Sequence, residues 1–312
     1  MPAESPGLHH VTAIGTDPRR NFAFYTDTLG LRLIKQSVNQ DDVSVYHLFY
    51  GDYRGSPGTS MTVFPYENAQ RGRVGTGQAS TVAFTIPEAS LEYWRDRLET
   101  AGADVSEPLE RFGDTVVPLT DPDGLPLELV ARREPPAVDP PRGPVPAEHA
   151  IRGFFGVTLT LESADSTTPL LRTMGFEKRD RAGERARYVA NGELGRVVDV
   201  CERPQAPRGI PGAGTVHHVA FTVTGADQAE WRSVLFDQGL RPTEIIDRTW
   251  FKSVYVRTPG GVLFEFATKS PGYTVDEDLD SLGERLVLPE WLADRRDQIV
   301  AGLAPLEPVG AE

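Results

Sequence analysis

Four of the six histidines fall in two pairs, His9-His10 and His217-His218, and both pairs open segments with one alternation, HHVTAIG and HHVAFTV. A metal-ligating residue type repeated in one local pattern points to a single structural position used twice. A third group with chemistry to offer, Glu265, lies between Phe264 and Phe266 in VLFEFA. A carboxylate in so apolar a strand needs a partner if buried, because an unpaired buried charge is expensive. Two imidazoles and one carboxylate around a divalent ion satisfy it and leave coordination positions open, as in non-haem Fe(II) oxygenases. A single histidine is more often a hydrogen-bonded structural group. Two pairs in equivalent places, with a carboxylate to match, favour a metal held by His10, His218 and Glu265. Ligand type alone does not separate Fe(II) from Mn(II) or another divalent ion.

Tyr255 precedes Glu265 across the Pro259-Gly260-Gly261 turn, and a hairpin there brings it near the metal, where a phenol can give or take a proton. The alternative is an aromatic packed on a neighbouring strand. Arg248, expected one strand earlier, can hold an anionic oxygen; on its residues alone it reads sooner as a surface arginine. Strand alternation puts His10 on one face with Thr12 and Ile14, and His9 on the other with Val11.

These residues need elements to position them, and the chain supplies a repeat. HHVTAIG, TVAFTIP from Thr81, FGVTLTL from Phe155 and HHVAFTV share one pattern, which stacks His10, Thr81, Gly156 and His218 in a column. A helical stretch follows each, starting near Asn21, Ala89, Asp165 and Asp227. Each runs into a glycine suited to a C-terminal cap: Gly30, Gly102, Gly175 and Gly239. Three short strands complete each unit. Counting from the glycine that opens the last strand gives a second column: Glu265 from Gly261, Asp199 from Gly195 and Thr62 from Gly58. The LPLELV strand places Glu128 there in the second unit. Glu128 reads as structural, because Thr81 stands in its first column. Asp199 beside Cys201 suggests a second metal only weakly, because Gly156 supplies no ligand.

The fold expected is α+β, four βαβββ modules in two pairs: residues 1–133, a proline-rich linker at 134–148, residues 149–270, and a tail at 271–312 with a helix near Pro289. We expect that tail to pack across the second domain or a partner subunit. No apolar run is long enough to span a membrane, and the N-terminus lacks a secretory pattern. One cysteine fits a reducing cytoplasm. A net charge of −13 argues against nucleic-acid binding. A homodimer is the default expectation for an oligomer.

The opening GLHHVTAIGTDPRRNFAFYTDTLGLRLIKQSVN, the segment SVYVRTPGGVLFEFAT and the tail PGYTVDEDLDSLGERLVLP resemble the ring-cleaving dioxygenase branch of the vicinal-oxygen-chelate superfamily. Within that branch the likeness is to hydroquinone-type enzymes, and it spans essentially the whole chain. FYTDTLGL is typical of the superfamily and does not separate dioxygenases from glyoxalases or resistance proteins; HHVTA combined with HHVAFTV and FEF is more specific. The resemblance implies two vicinal-oxygen-chelate domains with curved mixed sheets, modules one and four facing each other across one of them. It also implies Fe(II) at His10, His218 and Glu265, roles around it for His9, Thr12, His217, Arg248 and Tyr255, and a small aromatic diol and dioxygen as reactants. Two rivals stand beside that expectation: an oxygen-independent glyoxalase-type metalloenzyme, and a non-catalytic protein that binds an aromatic ligand or a metal. Thr62, where a second carboxylate would serve the former, favours the three-ligand oxygenase.

Overall fold

The computed structural model describes residues 2–306. Its elements follow the βαβββ order four times. The first module has β1 (Leu8–Gly15), α1 (Pro18–Ala23), β2 (Arg32–Asn39), β3 (Asp42–Gly51) and β4 (Ser60–Pro65). The second has β5 (Gln78–Pro87), α2 (Leu91–Thr100), β6 (Leu109–Arg111), β7 (Asp114–Thr120) and β8 (Pro126–Arg132). The third has β9 (Phe154–Leu161), α3 (Thr168–Thr173), β10 (Glu177–Ala182), β11 (Arg185–Val189) and β12 (Val197–Glu202). The fourth has β13 (Thr215–Val223), α4 (Gln228–Asp237), β14 (Ile246–Asp247), β15 (Lys252–Arg257) and β16 (Leu263–Thr268). The last helix among the described residues is α5 (Arg296–Gly302). Asp17 starts α1 by accepting from the amides of Arg19 and Arg20, and a π-helical turn over Phe24–Thr28 extends it. The four glycines that end the helical stretches all take positive φ, between 65° and 92°, where a side chain is disfavoured.

Two curved mixed sheets of eight strands result, one in the order β14-β15-β16-β13-β1-β4-β3-β2 and the other β10-β11-β12-β9-β5-β8-β7-β6. The first joins modules one and four, the second modules three and two. The joints are antiparallel, β1 on β13 and β5 on β9, whereas the first and last strands within each module run parallel. One apolar core takes side chains from both sheets, among them Val11, Phe84, Val157 and Phe264. No helix or strand forms over residues 133–153. Among the described residues no helix is long and apolar enough to cross a membrane.

The tail departs from expectation: it runs along module one as well as module four. The Val287 amide donates to the Gln36 carbonyl at 2.9 Å, and Leu292 and Ile299 pack on Val38. Tyr273 and Leu282 join Ile34, Phe49, Trp250 and Phe251. The anchor is Lys35, fully buried in β2, whose ammonium donates to Asp276, Glu277 and the Tyr273 carbonyl. Replacing Lys35 by methionine leaves Glu277 buried, with only Arg285 as a cation at 3.8 Å. Breaking a buried pair from one side costs about 3–5 kcal/mol. Urea unfolding of Lys35→Met is expected to show a loss of that size.

Candidate metal centre

β1 and β13 meet at the centre of the first sheet, and their antiparallel register sets Thr12 opposite His218 and His10 opposite Ala220. The parallel neighbour β16 brings Glu265 level with Ala220. Nε2 of His10, Nε2 of His218 and Oε2 of Glu265 therefore converge, with separations of 3.2 Å between the imidazoles and 3.2 and 2.9 Å from each to the carboxylate. Cis ligands held at roughly 2.1 Å from one ion lie ~3.0 Å apart, so this is the spacing of a facial triad. Oε2 is buried and, among the described residues, has no polar partner besides the two imidazoles, whereas Ser253 donates to Oε1. Burial alone would raise the Glu265 pKa, but His10 and His218 hold it well below the carboxylate range. Among the described residues this is the one group of three or more such side chains able to hold a metal ion.

The second-column reading survives in every module. Thr62 stands level with Thr12, Glu128 with Ala83, Asp199 with Thr158 and Glu265 with Ala220. In the second sheet that column is closed by arginines. Arg111 pairs with Glu128 at 2.7 Å, and Arg187 and Arg185 pair with Asp199 at 2.9 and 3.1 Å. Gly156 is required by crowding: a Cβ there would meet the Val197 carbonyl oxygen at 2.0 Å.

Simple alternation fails at the histidine pairs. The β1–β13 register shifts between Leu8 and His10, and again between Thr12 and Ala13, which leaves His9 and His217 without partners across the ladder. Such bulges re-aim side chains. Here each turns the first histidine of its pair onto the second: Nδ1 of His9 lies 3.0 Å from Nδ1 of His10, and Nδ1 of His217 lies 2.8 Å from Nδ1 of His218. An imidazole that gives Nε2 to a metal carries its proton on Nδ1, so with a metal bound His10 and His218 would each donate to the neighbouring histidine, the usual way such rings are oriented.

Burial and the neighbouring His10 push the His9 pKa down to about 3, so its ring is neutral and able to accept. Between that value and the ordinary value near 6.5 the unfolded chain binds more protons than the folded one, so stability falls as pH falls through this window. The metal-free protein is expected to lose urea resistance progressively from about pH 6.5 downward, and His9→Phe to flatten that slope.

A cavity of about 430 Å³ opens from the triad. Phe251 packs edgewise and tilted on the His9 and His10 rings at 5.2 and 5.0 Å. Tyr255, paired with Glu265 across β15–β16, sets its ring 5.6 Å from that of His218. Arg248 sits in the turn after β14 rather than in a strand; its Nε donates to the Tyr255 hydroxyl at 3.3 Å, and its other nitrogens grip Asp41 at 2.9 and 3.2 Å. Thr12 Oγ1 lies 2.8 Å from His218 Nε2. All eight expected residues thus gather at one centre. Sequence reasoning missed Ser253, Asp41 and His47. The alternation of VYHLFY would have put His47 on one face with Phe49, but no repeat marks it.

The model of the Glyoxalase/Bleomycin resistance protein/Dioxygenase superfamily matches residues 7–129 and 142–266. The chain belongs to this superfamily. It is 40% identical over 309 residues to a Bacillus subtilis (strain 168) protein provisionally named ring-cleaving dioxygenase MhqO, covering 98% of both chains. It is 35% identical over 314 residues to the chlorohydroquinone/hydroquinone 1,2-dioxygenase of Sphingobium indicum, covering 96% of both. A crystal structure of a Bacillus subtilis protein provisionally described as a dioxygenase superposes with a TM-score of 0.94 at 40% identity, over 98% of this chain and 99% of that one.

Proposed function

We propose that the protein is an Fe(II)-dependent ring-cleaving dioxygenase acting on hydroquinone-like or catechol-like diols and inserting both atoms of dioxygen. The observation that carries this reading is the facial convergence of His10, His218 and Glu265 beside a cavity walled by aromatic rings. Relatives named for hydroquinone and ring-cleaving dioxygenases, matched over nearly their full length, support it. So does Thr62, a neutral residue where a glyoxalase-type site would use a second carboxylate. Iron held by the three side chains supplies the one-electron chemistry through which dioxygen reacts with an aromatic ring.

The chain's own groups do the rest. His9 and His217 orient the two ligand imidazoles, and His217 also lines the cavity. Thr12 presents a hydroxyl beside the triad. Tyr255 holds a proton at its hydroxyl, and Arg248 places a fixed positive charge where the substrate becomes anionic. The aromatic walls, Phe49, Phe64 and Phe251 among them, exclude water and hold a flat ring. The lone buried Cys201 fits a cytoplasmic setting.

The test is reconstitution with Fe(II) under argon, followed by oxygen uptake on adding hydroquinone. Uptake with a ring-opened product carrying both atoms of labelled dioxygen is expected. No uptake with any hydroquinone or catechol, at one bound metal per chain, would transfer the assignment to an oxygen-independent metalloenzyme.

A further inference from the structure

His47, on β3, occupies the module-one wall of the cavity, across from Tyr255 and Arg248 on the module-four wall. Its Nε2 is tied to Thr62 Oγ1 at 2.9 Å, and Thr62 is tied in turn to Thr12 at 2.7 Å. Phe49 and Phe64 flank the ring at 3.8 and 4.4 Å. One nitrogen is thus tethered and the ring plane is fixed, while Nδ1 carries no hydrogen bond among the described residues. Burial, with His10 and His218 near by, keeps the ring neutral.

The repeat shows that His47 is not needed for charge compensation. Residues two positions before the strand partners of Asp199 and Glu265 are Arg185 and Ser253, and both donate to the column carboxylate. His47 holds the same place two residues before Phe49, the partner of Thr62. Its column residue is a neutral hydroxyl that Thr12 already satisfies. Two other polar side chains that line the cavity are already held: Arg248 by Asp41 on the module-four side, and Asn39, which donates to Tyr66, on the module-one side.

We infer that His47 is a substrate-contacting specificity residue whose Nδ1 binds the ring hydroxyl of the diol that lies away from the triad. This rests on the dioxygenase reading. A neutral imidazole can donate or accept, which matches a hydroxyl, and a ring held between the two walls would face Tyr255 on one side and His47 on the other. Preorganisation by Thr62 and the two phenyl rings is what lets a single hydrogen bond discriminate.

The test is anaerobic equilibrium binding to the Fe(II)-loaded protein, with hydroquinone and phenol as probes, since phenol lacks the second hydroxyl. The wild-type chain is expected to bind hydroquinone roughly tenfold tighter than phenol, the order of one well-made hydrogen bond. In His47→Phe, which keeps the ring packing, hydroquinone should fall to the level of phenol while phenol stays within about twofold of wild type. His47→Asn, whose amide can stand near Nδ1, should retain part of the preference and guards against a phenylalanine variant that fails to load metal. An unchanged hydroquinone-to-phenol ratio in both variants overturns the role of His47 alone. Failure of the wild-type protein to bind either probe overturns the dioxygenase reading, and this inference with it.

Discussion

A Glu265→Ala protein is expected to fold and to lose its metal. In the proposed site Glu265 would supply the single anionic ligand atom, and without it two neutral imidazoles 3.2 Å apart would have to hold a divalent ion in a buried site. The affinity loss should exceed the roughly 10–100-fold that removal of an outer partner of a ligand costs. The apo fold should survive, because the substitution removes a buried charge rather than stranding one, and Ser253 loses only an acceptor. Metal content after gel filtration and the thermal shift on adding Fe(II) read this directly. A ligand present at a hundred times its Kd stabilises the wild-type fold by about 2.7 kcal/mol; the variant should show no shift. A variant that kept full metal content and turnover would remove Glu265 from the ligand set.

Much of this centre is visible in the sequence because a parallel pairing preserves alternation. Counting along the strands placed Thr62, Glu128, Asp199 and Glu265 in one column, and the ladders put each two residues beyond His10, Thr81, Gly156 and His218. The helix-ending glycines were legible for a similar reason, since each marks a backbone conformation that other residues avoid. What alternation cannot carry is irregularity. The bulges at His9 and His217 reverse the face expected for both residues, and nothing in HHVTA announces an unpaired position.

Long-range joints are equally silent. The pairing of β1 with β13 joins segments some 200 residues apart, and only the family resemblance pointed to it. The tail's run along module one was missed because its anchor, Lys35 with Asp276 and Glu277, looks in sequence like three ordinary surface charges. His47 escaped because the residues that share its place, Ser253 and Arg185, belong to different chemical classes.

Tyr255→Phe should lower kcat by roughly 10²–10⁴-fold, the range for a positioned acid–base group, and leave metal content unchanged. The phenyl ring keeps the packing on His218 at 5.6 Å, so only the hydroxyl is lost. That hydroxyl accepts from Arg248 Nε, which leaves its own proton free to point into the cavity. Burial, then the charge of Glu265, raises the phenol pKa; Arg248 acts in the opposite sense and is outweighed. Tyr255 is therefore protonated across the neutral range and serves as a donor, to a developing anionic oxygen or to a leaving one. A donor that stays protonated makes the rate deficit of Tyr255→Phe constant from about pH 6 to 9, because its state does not change there. A phenolate base would instead give a wild-type rate that climbs with pH, with a deficit that widens alongside it. The pH profiles of kcat for the two proteins, measured on one batch of Fe(II)-loaded enzyme, therefore decide in which direction the proton moves at Tyr255.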